Sequence, residues 1–169
     1  NAPVRFAKFS PNSKFAVTAS DDGIVKIRDI KSGQYLNSII HGRTIRSLEF
    51  SRDSKYVLTA SDDGTAKIRD LETNKDLIPI ESDGPPIKSA QFSPDNKYIL
   101  TVLNDGTAKI KNFKTNEELR IIKHGRTIKN AVFSGNGRYL VTTSDDGIAK
   151  IRDLTTGQDL TPIIHDRPI

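Results

Sequence analysis

Cysteine, methionine and tryptophan are all missing from this chain of 169 residues. Without cysteine there is no disulfide, no thiolate ligand for zinc and no thiol nucleophile. Long apolar runs are missing too: hydrophobic residues make up 35% of the chain and mean hydropathy is −0.48. No stretch approaches the roughly 20 apolar residues that a membrane-spanning helix requires, so no membrane association is expected. No targeting segment is visible, and cytoplasm is the default compartment. Aromatic residues amount to 7%, all Phe or Tyr. The interleaved aromatic platforms of single-strand binders are therefore lacking, and nucleic acid is not expected as a ligand. Helical periodicity is nowhere sustained. With no methionine, and with Asn1 only a few residues before the first recurring segment, the chain reads as a trimmed piece of a longer translation product.

What is present is one segment written four times. From its phenylalanine it reads FSPNSKFAVTASDDGIVKIRDI at Phe9, FSRDSKYVLTASDDGTAKIRDL at Phe50, FSPDNKYILTVLNDGTAKIKNF at Phe92 and FSGNGRYLVTTSDDGIAKIRDL at Phe133. A fixed period of about 40 residues marks a repeat architecture, in which each unit buries its apolar face only against a neighbour.

In the second unit, IRSLEFS places Ile45, Leu48 and Phe50 inward, with one irregular step that predicts a bulge. SRDSK supplies a chain reversal. YVLTA, Tyr56 to Ala60, is a short continuous run expected to form a strand covered on both sides. SDDG at Ser61 to Gly64 makes a tight hairpin, because Asp-Gly tolerates the positive φ that such turns need. TAKIRD then alternates, with Ala66 and Ile68 on one face and Lys67 and Arg69 on the other. In DLIPI, Pro79 cannot donate to a ladder and marks an edge strand, as Pro162 does in the fourth unit. Four short antiparallel strands joined by hairpins, the last an edge, make one blade of an all-β propeller, with four blades in the chain. Their approximate bounds are 3–43, 44–85, 86–126 and 127–167.

FSPDNKYIL, SDDGTAKIRDL and the HGR loops at His41 and His124 follow one another in an order that resembles the WD-repeat propellers. The resemblance covers essentially the whole chain. It implies a rigid, non-catalytic scaffold for protein interactions, without cofactor. The family's tryptophan in Trp-Asp is Arg28, Arg69, Lys111 and Arg152 here, and its Gly-His is reversed in HGRT. In that family the tryptophan, a turn aspartate, a Ser or Thr and the histidine form a hydrogen-bonded set. The resemblance therefore implies that this chain needs a replacement for the set or has looser blades. The expected replacement is an ion pair from Arg28, Arg69 and Arg152 to the hairpin carboxylates Asp21 or Asp22, Asp62 or Asp63, and Asp145 or Asp146. Blade three is an internal control, since Lys111 faces Asn104 and a single aspartate, Asp105.

Propellers of this kind usually close with six to eight blades, and the tail HDRPI matches HGRTI at His41 to Ile45. Two copies closing an eight-bladed ring is the favoured expectation, a longer parent chain the next. A closed four-bladed ring and mixed rings with other chains are further alternatives.

Residues repeated in register usually do the same structural job in each unit, which argues against an enzyme. His41, His124 and His165 share one loop position and are read as structural, bonded to backbone or to the turn aspartate. Asp22, Asp63, Asp105 and Asp146 sit in turns, and one Asp-Asp-Gly supplies too few ligands for calcium, so no metal is assigned. No phosphate-binding glycine loop and no catalytic triad is recognisable. The balance of 26 basic and 21 acidic residues, +5 overall, suits an acidic protein or peptide. Arg5, Arg46, Lys88 and Lys129 share one place in the first strand of each unit, which in a WD-type blade lines the channel. Arg43, Arg126 and Arg167 add charge in the loops before it. Together they are the candidate binding residues at a basic channel mouth. The third unit departs most from the others, and its loop Ser82 to Pro85 is expected on the surface at the end that carries Arg46 and Lys88.

Overall fold

The computed structural model describes residues 2–77 and 79–165, which fall into two compact units, 1–92 and 93–169. The first holds β1 (Val4–Phe9), β2 (Phe15–Ser20), β3 (Ile24–Asp29), β4 (Ile39–Ile40), β5 (Ile45–Phe50), β6 (Tyr56–Ser61), β7 (Thr65–Asp70), β8 (Lys75–Asp76), β9 (Ile80–Glu81) and β10 (Ile87–Phe92). The second holds β11 (Tyr98–Leu103), β12 (Thr107–Asn112), β13 (Glu118–Lys123), β14 (Ile128–Phe133), β15 (Tyr139–Ser144), β16 (Ile148–Asp153) and β17 (Ile163–Ile164). Strands run β1-β2-β3-β4, β5-β6-β7-β8 with β9 also on β7, β10-β11-β12-β13 and β14-β15-β16-β17. The fold is all-β, four antiparallel sheets of propeller type. No helix long and apolar enough to cross a membrane occurs among the described residues.

Local chemistry explains the strand boundaries. In the reversal after β5, the Ser51 hydroxyl donates to Asp53 Oδ1 (2.7 Å) and accepts from Tyr56 N (2.9 Å), while Asp53 Oδ1 accepts from Lys55 N. The same Ser-x-Asx arrangement recurs at Ser10 and Asn12, Ser93 and Asp95, and Ser134 and Asn136. The bulge expected in the first strand lies between Ile45 and Ser47, with counterparts between Val4 and Phe6 and between Ile128 and Asn130. Pro79 separates β8 from β9, so the edge strand of the second blade is broken where its missing N–H would fall. Blade one is broken there without a proline. The carbonyls of Asn37 and Ser38 accept instead from the Arg69 guanidinium.

Burial is greatest where one sheet lies on the next. In the first unit Phe15, Val17, Ala19, Val25, Ile27 and Ile39 of blade one form a single cluster with Ile45, Leu48, Phe50, Val57 and Leu71 of blade two. In the second unit Leu100, Val102, Ala108, Ile110 and Ile122 pack likewise with Ile128, Ala131, Phe133 and Leu140. Each sheet thus supplies half of a core that its neighbour completes.

At the hairpin, Gly23 has φ +81°, and a Cβ there would lie 2.6 Å from His41 O and 2.7 Å from Arg43 O. Both objections are backbone, so no side chain can move aside. Gly23→Ala is expected to cost about 2 kcal/mol or more, read as a lowered urea midpoint.

Candidate functional site

The loop that leaves each blade carries the histidine, and its backbone is fixed first. His41 N donates to Gly23 O (2.9 Å) and His124 N to Gly106 O (3.0 Å), extending the edge strand by one residue. The ring then turns inward onto the next blade. His41 Nε2 lies 2.8 Å from Thr59 Oγ1, while Nδ1 lies 3.2 Å from Asp63 Oδ2 and 3.1 Å from Thr65 Oγ1. His124 repeats this, with Nε2 at 2.8 Å from Thr142 Oγ1 and Nδ1 at 3.3 Å from Asp146 Oδ2. A carboxylate only accepts, so Nδ1 carries the proton, and the bare Nε2 accepts from the threonine hydroxyl. Both side chains are fully covered, and burial lowers both histidine pKa values, outweighing the adjacent carboxylates. Asp63 is held at about 2: bonds from Thr65, from Gly42 N and from His41 outweigh its burial.

The family's structural set therefore survives in part, as histidine, threonine and aspartate without the tryptophan. Asp63 Oδ1 is taken by Thr65 N and its hydroxyl, and Oδ2 by the histidine and Gly42 N (2.7 Å). These oxygens are committed to the turn and the clasp. His165 is exposed, and its ring has no hydrogen-bond partner among the described residues.

The arginines at the tryptophan position do not reach the hairpin aspartates. They pair across the sheet instead, with the residue seven places on, in the edge strand. Arg69 Nε donates to Asp76 Oδ1 (2.6 Å), and its Nη1 reaches Asn74 Oδ1 (2.9 Å) as well as Asn37 O of blade one. Arg152 holds Asp159 through two bonds of 2.6 Å. Arg28 meets Tyr35 at the same register, with its guanidinium carbon 5.6 Å from the ring centroid, and Nε donates to Gly33 O (3.1 Å). Arg69 is 3% exposed, so its bonds tie two blades from a covered guanidinium, while Asp76 keeps about half of its side chain in solvent. An aspartate seven residues downstream in blades two and four was the available sequence signal.

The first aspartate of each hairpin serves the first strand. Arg5 pairs with Asp21, Arg46 Nε with Asp62 Oδ2 (2.7 Å), and Lys129 Nζ with Asp145 Oδ2 (3.1 Å). The Arg46 pKa is raised by its bond to Asp62. In blade three the aspartate's place is taken by Asn104, and Lys88, the counterpart of Arg46, is half-buried. These are exposed pairs worth about 0–1 kcal/mol each, yet they neutralise much of the charge expected at these positions. Arg43 and Arg126 are exposed, on backbone fixed where Ser61 Oγ and Ser144 Oγ donate to their carbonyls (3.1 and 3.2 Å). Arg167 lies outside the described residues. Asp83 and Gly84 form the exposed tip of the Ser82 to Pro85 loop, immediately before β10, while Ser82 is buried and donates to Pro85 O. A groove of about 390 Å³ in the first unit, lined by Asn12, Lys14, Asp53, Lys55 and Glu72 among others, contains none of the predicted basic residues.

One group had no sequence signal. Glu49, at the place held by Lys8, Gln91 and Val132 in the other repeats, is largely buried and accepts from Phe92 N. Burial pushes its pKa up to about 7, opposed by the Lys8 charge.

Comparison with known proteins follows this geometry. The family of the WD domain, G-beta repeat, matches residues 1–29, 33–70, 79–110 and 116–153, and the chain belongs to it. No curated protein matches in sequence. Among solved structures it is similar to the β-propeller domain of Cps50 (Swd1) from Myceliophteria thermophila, with a TM-score of 0.85 at 18% identity. That match covers 100% of this chain and 57% of the other, so this chain spans little more than half its length.

Two pH effects of opposite sign follow. The clasp histidines titrate lower folded than unfolded, so below about pH 6.5 the unfolded chain binds more protons and stability falls with acidification. With the opposing Glu49 titration removed by Glu49→Gln, the urea midpoint should drop between about pH 7.5 and 5.5, and adding His41→Gln should flatten that slope. Glu49 titrates higher folded than unfolded, so it costs stability as pH rises through its range. Glu49→Gln should be more stable than the parent at about pH 8, by about 1–2 kcal/mol after allowing for partial solvent screening, and no different at about pH 4.

Proposed function

We propose that this chain is a non-catalytic WD-repeat scaffold that holds an acidic protein or peptide through its HGR loops. The family supports a protein-interaction role in general, and the finer reading rests on one observation. Arg5, Arg46 and Lys129 are occupied by Asp21, Asp62 and Asp145, whereas Arg43 and Arg126 stand exposed on anchored backbone. An ordered loop with an outward guanidinium suits a carboxylate, and little side-chain freedom beyond the arginine's own is lost on binding. Anisotropy of a labelled glutamate-rich peptide at low salt tests this. Arg43→Glu with Arg126→Glu should weaken binding about tenfold or more, and Lys31→Glu with Lys114→Glu, an equal change of charge at other exposed positions, much less. Equal losses would reduce the effect to net charge and overturn the reading.

A second reading, self-assembly of two chains into an eight-bladed ring, is favoured by a different observation. Phe9 is 70% exposed where Phe50, Phe92 and Phe133 are 7%, 6% and 8% exposed. Sedimentation equilibrium should then give twice 18.7 kDa.

A further inference from the structure

The four chain reversals are not chemically equivalent. The residue that accepts from the serine of the reversal is Asn12, Asp53, Asp95 or Asn136, and the residue after it is Ser13, Ser54, Asn96 or Gly137. Blade four alone sets asparagine before glycine there, and no other Asn-Gly pair occurs in the sequence. An asparagine carries an electrophile, its side-chain amide carbon, beside a nucleophile, the main-chain nitrogen of the next residue. Glycine has no Cβ to obstruct their approach.

The structure restrains the two reactants differently. Asn136 Oδ1 accepts from Ser134 Oγ (2.7 Å) and from Arg138 N (3.0 Å), which fixes the amide and leaves its carbon polarised. The Gly137 N–H donates to Ser134 O (2.8 Å). Gly137 is also buried against blade three, where a Cβ on it would lie 3.6 Å from Asp95 Cγ. Attack requires this nitrogen to give up its proton. A nearby carboxylate, and a hydrogen bond that only the protonated nitrogen makes, both oppose that loss. The electrophile stands ready while the nucleophile is withheld.

We propose that Asn136–Gly137 is a site of spontaneous covalent modification, kept closed by the folded reversal and reacting with water when blade four opens locally. The Gly137 nitrogen bonds to Asn136 Cγ and the Cγ–Nδ2 bond breaks. The departing amide nitrogen takes up the proton that the glycine nitrogen loses and leaves as ammonia. Water then opens the cyclic imide. Cleavage of the new bond at Cγ gives aspartate, and cleavage at the original main-chain carbonyl gives isoaspartate, whose main chain runs through Cβ and Cγ.

The fold treats these products unequally. Aspartate is what blades two and three already carry: Asp53 accepts from Ser51 Oγ and Lys55 N (2.7 and 3.1 Å), and Asp95 from Ser93 Oγ and Lys97 N (2.6 and 3.1 Å). Isoaspartate adds a carbon to the main chain inside the reversal, so the bonds at Ser134, Gly137 and Arg138 are not all kept. Repeated opening therefore accumulates molecules whose fourth blade no longer closes properly.

Parent protein is held in mildly alkaline buffer, with and without urea beyond its unfolding midpoint, and the peptide containing residue 136 is followed by mass spectrometry for loss of ammonia and gain of water. Conversion should be at least about tenfold slower without urea, because the rate follows the open population. S134A removes the hydroxyl that serves both Asn136 and Tyr139 N, and should raise the rate in buffer several-fold while leaving the rate in urea unchanged. G137S installs the residue that follows Asn12, where Ser13 holds the same left-handed conformation at φ +57°. It should fold and slow the reaction in urea about tenfold, since a side chain now obstructs the attack. N136D should keep a urea midpoint near the parent's, and the isoaspartyl form, separated by ion exchange, should have a lower one. Equal rates with and without urea overturn the proposal, as does conversion at other asparagines with Asn136 intact. An isoaspartyl form as stable as the parent overturns the unequal treatment of the products. Should S134A fail to fold, the parent's ratio and G137S decide.

Discussion

A blade of this protein has two apolar faces and no means of covering either, so burial between successive sheets is the constraint on which everything else depends. A lone four-stranded sheet of this size would leave both faces wet, and the backbone ladder returns too little net free energy to offset that exposure. The cluster that joins Val17, Ile27 and Ile39 to Ile45, Leu48 and Phe50 is therefore the basic unit of stability. The histidine clasp and the Arg69 network then set the alignment of that joint. Apolar burial is nearly indifferent to a small slide, whereas a ring nitrogen 2.8 Å from a buried hydroxyl is not.

This division of labour explains why the tryptophan of the family can be absent. Its place on the strand is taken by a guanidinium, which is more costly to bury and must be supplied with acceptors. Arg69 finds Asp76, Asn74 and two main-chain carbonyls of the preceding blade. Arg152 and Arg28 have fewer partners, Asp159 for the one and Gly33 O with the Tyr35 ring for the other. The substitution turns a packing contact into a polar joint whose quality differs from blade to blade.

Much of the fold could be read from the residues because repetition multiplies weak signals. One Asp-Gly hairpin or one short apolar run is ambiguous, but four in register define the strands and their turns, and Pro79 and Pro162 mark the interrupted edge in two of the blades. The functional assignments were harder for a physical reason. Asp62 and Asp63 are neighbours of one type, yet successive residues of a turn point to different places, one to the arginine of the first strand and the other to the clasp. The partner of Arg69 depends on the register of an edge strand only two residues long, which a pattern of apolar residues does not fix. The raised pKa of Glu49 arises from tertiary burial alone, with nothing in IRSLEF to distinguish it from a solvated residue.

The broken edge strands carry a consequence for the chain's life at high concentration. Sheets grow sideways by offering a row of unsatisfied amides and carbonyls, and near-identical repeats are the sequences most able to accept one another's strands. Blades one, two and four interrupt that row, leaving paired stretches of only two residues at the rim. Blade three keeps an unbroken rim strand, and there Glu118, Arg120 and Lys123 place charge along it. Sideways growth is thus opposed at every rim, by a broken strand in three blades and by charge in the remaining one.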